Sequence, residues 1–371
     1  MKQKTTVLHS WHKAHGGKMV DFAGYEMPVQ YAAGSRQEHL AVRRSAGLFD
    51  ISHMGRLYVR CRDNEDIKAY ERLISSHVSS METSTGSYGL LCRHDGGILD
   101  DIFHFRLEED SWLLVVNAAN HQKDLDWIRT EAPELQVEDI TGKIGMLALQ
   151  GPESLKILSR AGYEEKVKSI PQRNQVSRGN LFEDGIFTRT GYTGEDGVEI
   201  YAPTEKIEQI ADALLQAAEK EKIECPPCGL AARDSLRFEP GYPLYGHELT
   251  EEITPREATM KWTCKLDDGD PDFIGKEAIR QRYAENDDFH RLRTVKMLDR
   301  GMPRQDMKVV DAQGNDIGWV ASGIASPSLD GFYANIFIRK SASQTGNRVY
   351  IEIRGSRKEA EIVKRPLYRV L

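Results

Sequence analysis

Two apolar runs, Leu99 to Leu107 and Trp112-Leu113-Leu114-Val115-Val116-Asn117, are separated only by Glu108-Glu109-Asp110-Ser111. A link this short and polar joins two strands into an antiparallel hairpin, because a parallel crossover needs a dozen residues or more. The chain must therefore contain an antiparallel sheet. The hairpin also carries two acids at its mouth, in Gly96-Gly97-Ile98-Leu99-Asp100-Asp101-Ile102-Phe103-His104-Phe105. Alternate side chains share a strand face, which groups Asp101 with Phe103 and Phe105, and Asp100 with Ile102 and His104. Whichever face is buried takes an acid with it. Beside aromatic rings an unpartnered carboxylate is costly to ionise, so its pKa climbs toward values useful for proton transfer or for binding a ligand nitrogen. Taken alone, the segment favours a simpler outcome, in which one Asp closes the Gly-Gly turn and the other meets solvent. Asn117 ends the second run close to the acid pair, as an amide partner or as an ordinary turn residue.

The chain of 371 residues is too long for one ordinary core, so two or three domains are expected. A net charge of −7 offers no basic excess for phosphate neutralisation, which argues against nucleic acid as a partner. No window has the apolar length of a membrane span, and Met1-Lys2-Gln3-Lys4-Thr5-Thr6 lacks the apolar run of a secretory signal. A soluble, cytoplasmic protein with no membrane association is the expectation. The five cysteines are odd in number and scattered, so they should be reduced. Cys225-Pro226-Pro227-Cys228 has no second pair to complete four sulfur ligands, and no metal site is expected.

Further strands are expected at Arg56 to Arg60 and Tyr88 to Leu91, and a strand and helix flank Gly151-Pro152. Ile207, Ile210, Ala211, Leu214, Leu215 and Ala218 recur at helical spacing, predicting a helix from Lys206 to Glu221 with Thr204 as its cap. Leu292 to Met297, Ile317 to Val320, Phe332 to Ile338 and Val349 to Ile353 alternate like strands, which makes the C-terminal part all-β. Gly191-Tyr192-Thr193-Gly194-Glu195-Asp196-Gly197 has the glycines of a phosphate loop, but its two acids would repel a phosphate. In Val198-Glu199-Ile200-Tyr201 the acid shares a face with Tyr201; on a surface strand it is solvated, and in a cavity it would accept two adjacent N–H donors in parallel. Arg233 and Arg237 stand one turn apart on an expected helix from Gly229 to Glu239. They can pair with Asp234 or Glu239, or hold a carboxylate ligand. His247 follows in an aromatic loop, a weak candidate for acid or base.

These segments, in order, closely resemble the glycine cleavage system T-protein (aminomethyltransferase) family. The resemblance runs through Lys18 to Pro28, Gly47-Leu48-Phe49-Asp50-Ile51-Ser52-His53-Met54-Gly55, the Gly-Gly-Ile-Leu-Asp-Asp strand, Val116 to Asn120, Leu149-Gln150-Gly151-Pro152, Gly191 to Ile200, Gly229 to Glu239, Leu244-Tyr245-Gly246, Asp272 to Ala278 and Ser322 to Leu329. It implies an α+β fold of three domains in a cloverleaf around a central folate-binding hole. The implied units are 1–52 plus 143–280 as a discontinuous domain, 53–142 as an inserted domain carrying the Asp-Asp strand, and 286–371 as a β-barrel-like domain. It further implies Asp101 as the catalytic residue. Met54, Tyr58, Tyr88, Val115, Asn117 and Tyr192 would line the folate pocket, with Glu199 and Arg233 as polar anchors. Tetrahydrofolate would accept a one-carbon unit from the S-aminomethyl-dihydrolipoyl arm of the H-protein, with release of ammonia, on a monomer or weak dimer. Two alternatives share the fold: a tetrahydrofolate-dependent demethylase of a small sulfur or nitrogen compound, and a folate-binding protein without catalysis, which the presence of Asp101 disfavours.

Overall fold

The computed structural model describes residues 3–285 and 288–369. Residues 1–2, 286–287 and 370–371 lie outside the described residues, and with them the expected boundary at 286 and the outer limits of the first and last expected domains.

The chain opens with an antiparallel ribbon, β1 (Lys18–Phe22) and β2 (Tyr25–Gln30), followed by a short β3 (Gly47–Asp50). Five strands then form one antiparallel sheet: β4 (Gly55–Arg60), β5 (Thr85–Cys92), β6 (Ile98–Glu108), β7 (Ser111–Val116) and β8 (Gln136–Asp139), in spatial order β5-β6-β7-β4-β8. Only after this sheet does β9 (Ile144–Gln150) return to pair with β3. β10 (Ile186–Thr188) and β11 (Gly197–Pro203) complete a four-stranded sheet in the order β10-β11-β9-β3. The five-stranded sheet is thus an insertion between two hydrogen-bonded neighbours of another sheet. Arg56, buried at the joint, ties entry to exit: its guanidinium donates to Ser52 O at 3.0 Å and to Thr141 O at 2.6 Å.

The last six strands, β12 (His290–Met297), β13 (Lys308–Val310), β14 (Asp316–Ser326), β15 (Gly331–Arg339), β16 (Arg348–Ile353) and β17 (Ser356–Val363), close into a barrel. The fold is therefore α+β with an all-β C-terminal barrel. Four of these strands carry the expected alternation, while β13 and β17 do not. β13 is three residues long, and β17 reads Ser-Arg-Lys-Glu-Ala-Glu-Ile-Val, too polar to announce itself. Closure supplies what its side chains do not, because β17 pairs with β16 on one side and β12 on the other.

The hairpin of β6 and β7 forms as expected, with a tighter turn: Glu108 and Ser111 face each other in register, leaving Glu109-Asp110 as the link. The expected helix over 206–221 runs Thr204–Lys220 and buries Ile207, Ile210, Ala211, Leu214 and Ala218 against the four-stranded sheet. Each such aliphatic side chain contributes roughly 1.5–3 kcal/mol by leaving water, less for Ala. Thr204 is not its cap. It is the first helical residue, its N–H donates to Lys143 O, and Pro203 holds the cap position without a side-chain bond. Among the described residues no helix is long and apolar enough to cross a membrane.

Candidate functional site

The acid pair is built by the entry to β6. Gly96 turns the chain at φ +84°, and Gly97 passes so close to Glu251 that a Cβ there would sit 1.9 Å from its carbonyl oxygen. The strand that follows buries Asp100 fully and sets the part-buried Asp101 in a cavity wall, so neither acid stands on an open surface as the simpler reading of this segment has it. Burial is possible because amide donors crowd the end of β7. Asp100 accepts from Asn117 N–H at 3.0 Å, Asn117 Nδ2 at 2.9 Å and Asn120 Nδ2 at 2.6 Å. Asp101 accepts from the Tyr88 hydroxyl at 3.0 Å and from Asn117 Nδ2 at 2.8 Å. Burial, and then the like charge of Asp100, push the Asp101 carboxyl up to about 7, while the Tyr88 and Asn117 bonds pull the other way. Asn117 is no mere turn residue, since its side-chain NH2 bridges both acids. The repeated amide in Asn117-Ala118-Ala119-Asn120 was the available signal for Asn120, which sequence reasoning overlooked.

In the same cavity wall, β11 buries Val198 and Ile200 and turns Glu199 and Tyr201 the other way, as the alternation requires. The hydroxyls of Thr190 and Tyr201 both donate to Glu199 Oε2, at 2.6 and 3.2 Å. Burial raises the Glu199 pKa against these bonds and against the positive charge of Arg233. Arg233 comes from the helix Leu230–Phe238; its Cζ lies 4.5 Å from the Tyr192 ring centroid, and its nearest polar contact is Met54 Sδ at 3.8 Å. Among the described residues no carboxylate lies within ion-pair distance of it. Arg237, one turn on, is buried between Asp234 and Glu248 at 2.8 Å from each, so it is not the surface pair that is usual for such a helix. Charge held away from water without a partner is expensive, so the part-buried Arg233 is a residue that could hold an anionic or carbonyl ligand.

Met54, Tyr88, Asp101, Val115, Asn117, Tyr192, Glu199 and Arg233 line one cavity of about 460 Å³, a size suited to a small-molecule cofactor. Tyr58 is not among the lining residues. It stands opposite Leu113 on β4, where the Phe182 ring covers it edge-on at 5.5 Å. Trp262 is an unforeseen wall residue, 74% exposed at the rim and stacked on Tyr88 at 5.9 Å. Leu292 of β12 and Arg365 beyond β17 also reach the cavity, so the two sheets and the barrel all contribute to it. The Gly191 loop lines the cavity without forming a phosphate cradle: a Cβ on Gly191 would meet Gln150 Oε1 at 1.8 Å, and Glu195 and Asp196 are paired with Arg43 and Arg189. His247 lies outside the lining, with Nδ1 3.2 Å from Ala321 O. All five cysteines are free, and no three His, Cys, Asp or Glu side chains among the described residues converge as metal ligands would.

Residues 8–268 match the GCVT N-terminal domain family, and residues 290–369 match the glycine cleavage T-protein C-terminal barrel domain family. Among curated proteins, an aminomethyltransferase of Oceanobacillus iheyensis is 36% identical, with 99% of each chain covered. One from Herpetosiphon aurantiacus is 39% identical over 99% of this chain and 98% of its own. The fold superposes on the crystal structure of glycine cleavage system aminomethyltransferase T from Bartonella henselae with a TM-score of 0.89 at 31% identity, covering 99% of this chain and 98% of that one. Matched along nearly its whole length in sequence and in fold, the chain belongs to the glycine cleavage T-protein family of aminomethyltransferases.

Proposed function

We propose that this protein is the folate-dependent aminomethyltransferase of the glycine cleavage system, moving the one-carbon unit of an S-aminomethyl-dihydrolipoyl H-protein to tetrahydrofolate, releasing ammonia and returning the arm as its free dithiol. The observation that carries the reading is a pair of carboxylates in the wall of one aromatic-lined cavity, Asp101 with its pKa raised to about 7 and Glu199 in the field of Arg233. The donor set fits a reduced folate. Glu199 can accept two adjacent N–H groups from an aminopyrimidinone edge, Arg233 can meet a carbonyl or a carboxylate, and Tyr88 and Tyr192 offer ring surfaces. Tetrahydrofolate supplies the nucleophilic nitrogen that accepts the carbon.

Asp101 does the electrostatic work. Loss of ammonia from an aminomethyl group leaves positive charge on carbon, and a carboxylate fixed in a water-poor cavity stabilises that charge as it develops. Its position between Tyr88 and Asn117 keeps both oxygens oriented, and a pKa near neutrality lets it take up and return a proton. The test supplies each donor separately. With H-protein carrying a loaded lipoyl arm, ammonia and 5,10-methylenetetrahydrofolate should appear together, at a rate that falls as salt screens the docking of two proteins. Turnover of a free methylated sulfur or nitrogen compound, with none from the loaded carrier, would replace the proposal with a demethylase.

A further inference from the structure

Asp124 is a buried acid that the reaction as described does not use. It lies in the first turn of the helix His121–Glu131, is fully buried, and neither of its carboxylate oxygens has a hydrogen-bond donor. The donors around it are already committed. Asn120 Nδ2 and Asn117 Nδ2 are bound to Asp100, and Lys123 Nζ donates to Leu99 O at 2.8 Å, Tyr245 Oη at 3.1 Å and Glu251 Oε1 at 3.0 Å. What Asp124 faces at hydrogen-bonding range is the carboxyl group of Asp100. Two ionised carboxylates cannot share a site without water or a cation between them, so one proton must lie between the pair.

Asp100 already accepts three amide N–H bonds, which suit an anion, whereas Asp124 accepts none. We infer that Asp124 is held as a neutral carboxylic acid that donates its proton to Asp100, and that it acts as a positioning residue: Asp124 fixes Asp100, Asp100 fixes Asn117, and Asn117 fixes Asp101. The groups facing Asp124 are Asp100 and Asp101 from β6, Lys123 on its own helix and the Tyr245 hydroxyl. The two aspartates favour the protonated form and Lys123 opposes it, while burial is the largest influence and also favours it. A neutral Asp124 leaves Asp101 with one anionic neighbour instead of two. A second negative charge there would hold Asp101 protonated to higher pH and empty the carboxylate form that the transfer needs.

The inference rests on the aminomethyltransferase reading for its kinetic readout but not for its spectroscopic one. In the full-length protein at mildly alkaline pH, where Asp101 is ionised, infrared difference spectra between wild type and Asp124→Asn should show the C=O stretch of one protonated carboxyl, lost in the variant. Asp124→Asn, whose amide can still donate to Asp100, should keep kcat within ~3-fold. Asp124→Leu should lower kcat by roughly tenfold while KM for tetrahydrofolate stays within ~3-fold. Absence of the band overturns the inference, and so does an Asn variant as impaired as the Leu variant. Should the Leu variant not fold, the band and the Asn variant decide. A wild-type protein inactive with loaded H-protein would count against the functional reading alone, since the band requires no substrate.

Discussion

Glu199 and Asp101 line the same cavity and solve the burial of a carboxylate in opposite ways. Glu199 is served by neutral hydroxyls and stands in the field of the Arg233 guanidinium, which has no carboxylate within ion-pair distance among the described residues. Asp101 is served by a phenol and an amide but is pressed by a like charge one residue away. In the first arrangement both hydroxyls go to Oε2, which suits Glu199 to binding through its other oxygen. The second makes ionisation marginal near neutral pH, so it is suited to chemistry. The same functional group thus takes two roles according to what faces it.

That division is most sharply broken by Asp101→Asn, which keeps shape and most hydrogen bonds while removing the charge. Turnover should drop by roughly a hundredfold or more with tetrahydrofolate affinity within a few-fold, measured by single-turnover kinetics and by titration. Glu199→Ala should do the reverse. Losing one side of a charge-assisted pair costs ~2 kcal/mol or more, roughly a thirtyfold loss of folate affinity by calorimetric titration. Equal affinities in wild type and variant would erase the distinction between the two acids.

Acidity sharpens the comparison further. On the proposed role the active form of Asp101 is the carboxylate, and its pKa is raised to about 7, so turnover should be full above that pH and lost as pH falls through it, ~tenfold per unit. A flat kcat profile from pH 6 to 8 would show that the proton on Asp101 does not matter. Tyr88→Phe should have the smallest effect. It removes one bond to the Asp101 carboxylate, lowering turnover by roughly fivefold for a bond of about 1 kcal/mol. It should also move the acid limb upward, because that bond holds the pKa down. An acid limb that moved downward would mean the phenol favours the protonated acid.

Much of this was legible in the residues. Period-two alternation put Asp101 and Asp100 on opposite faces of β6 and put Glu199 with Tyr201, and the helix Thr204–Lys220 is written in its apolar spacing. What alternation could not give is which face meets a cavity, because that depends on neighbours distant in sequence. Asp100 could not be recognised as buried before Asn117 and Asn120 were seen beside it. Tyr58 carries the right chemistry for a wall residue, yet the local pattern holds no trace of the Phe182 ring that covers it. β17 stayed hidden for a related reason, since its partners on both sides justify it and its own side chains do not.

The insertion between β3 and β9 bears on how the protein reaches this state. Bringing two strands together across an unfolded segment costs loop-closure entropy that grows with the logarithm of its length, and non-local pairings of this kind slow folding. Once the inserted sheet has folded, Arg56 holds its entry and exit side by side through Ser52 O and Thr141 O. β3 and β9 are then presented to each other as near neighbours. The order this favours runs from the sheet that carries Asp101 to the sheet that carries Glu199, so amides of β6 should gain protection from exchange during refolding ahead of those of β9.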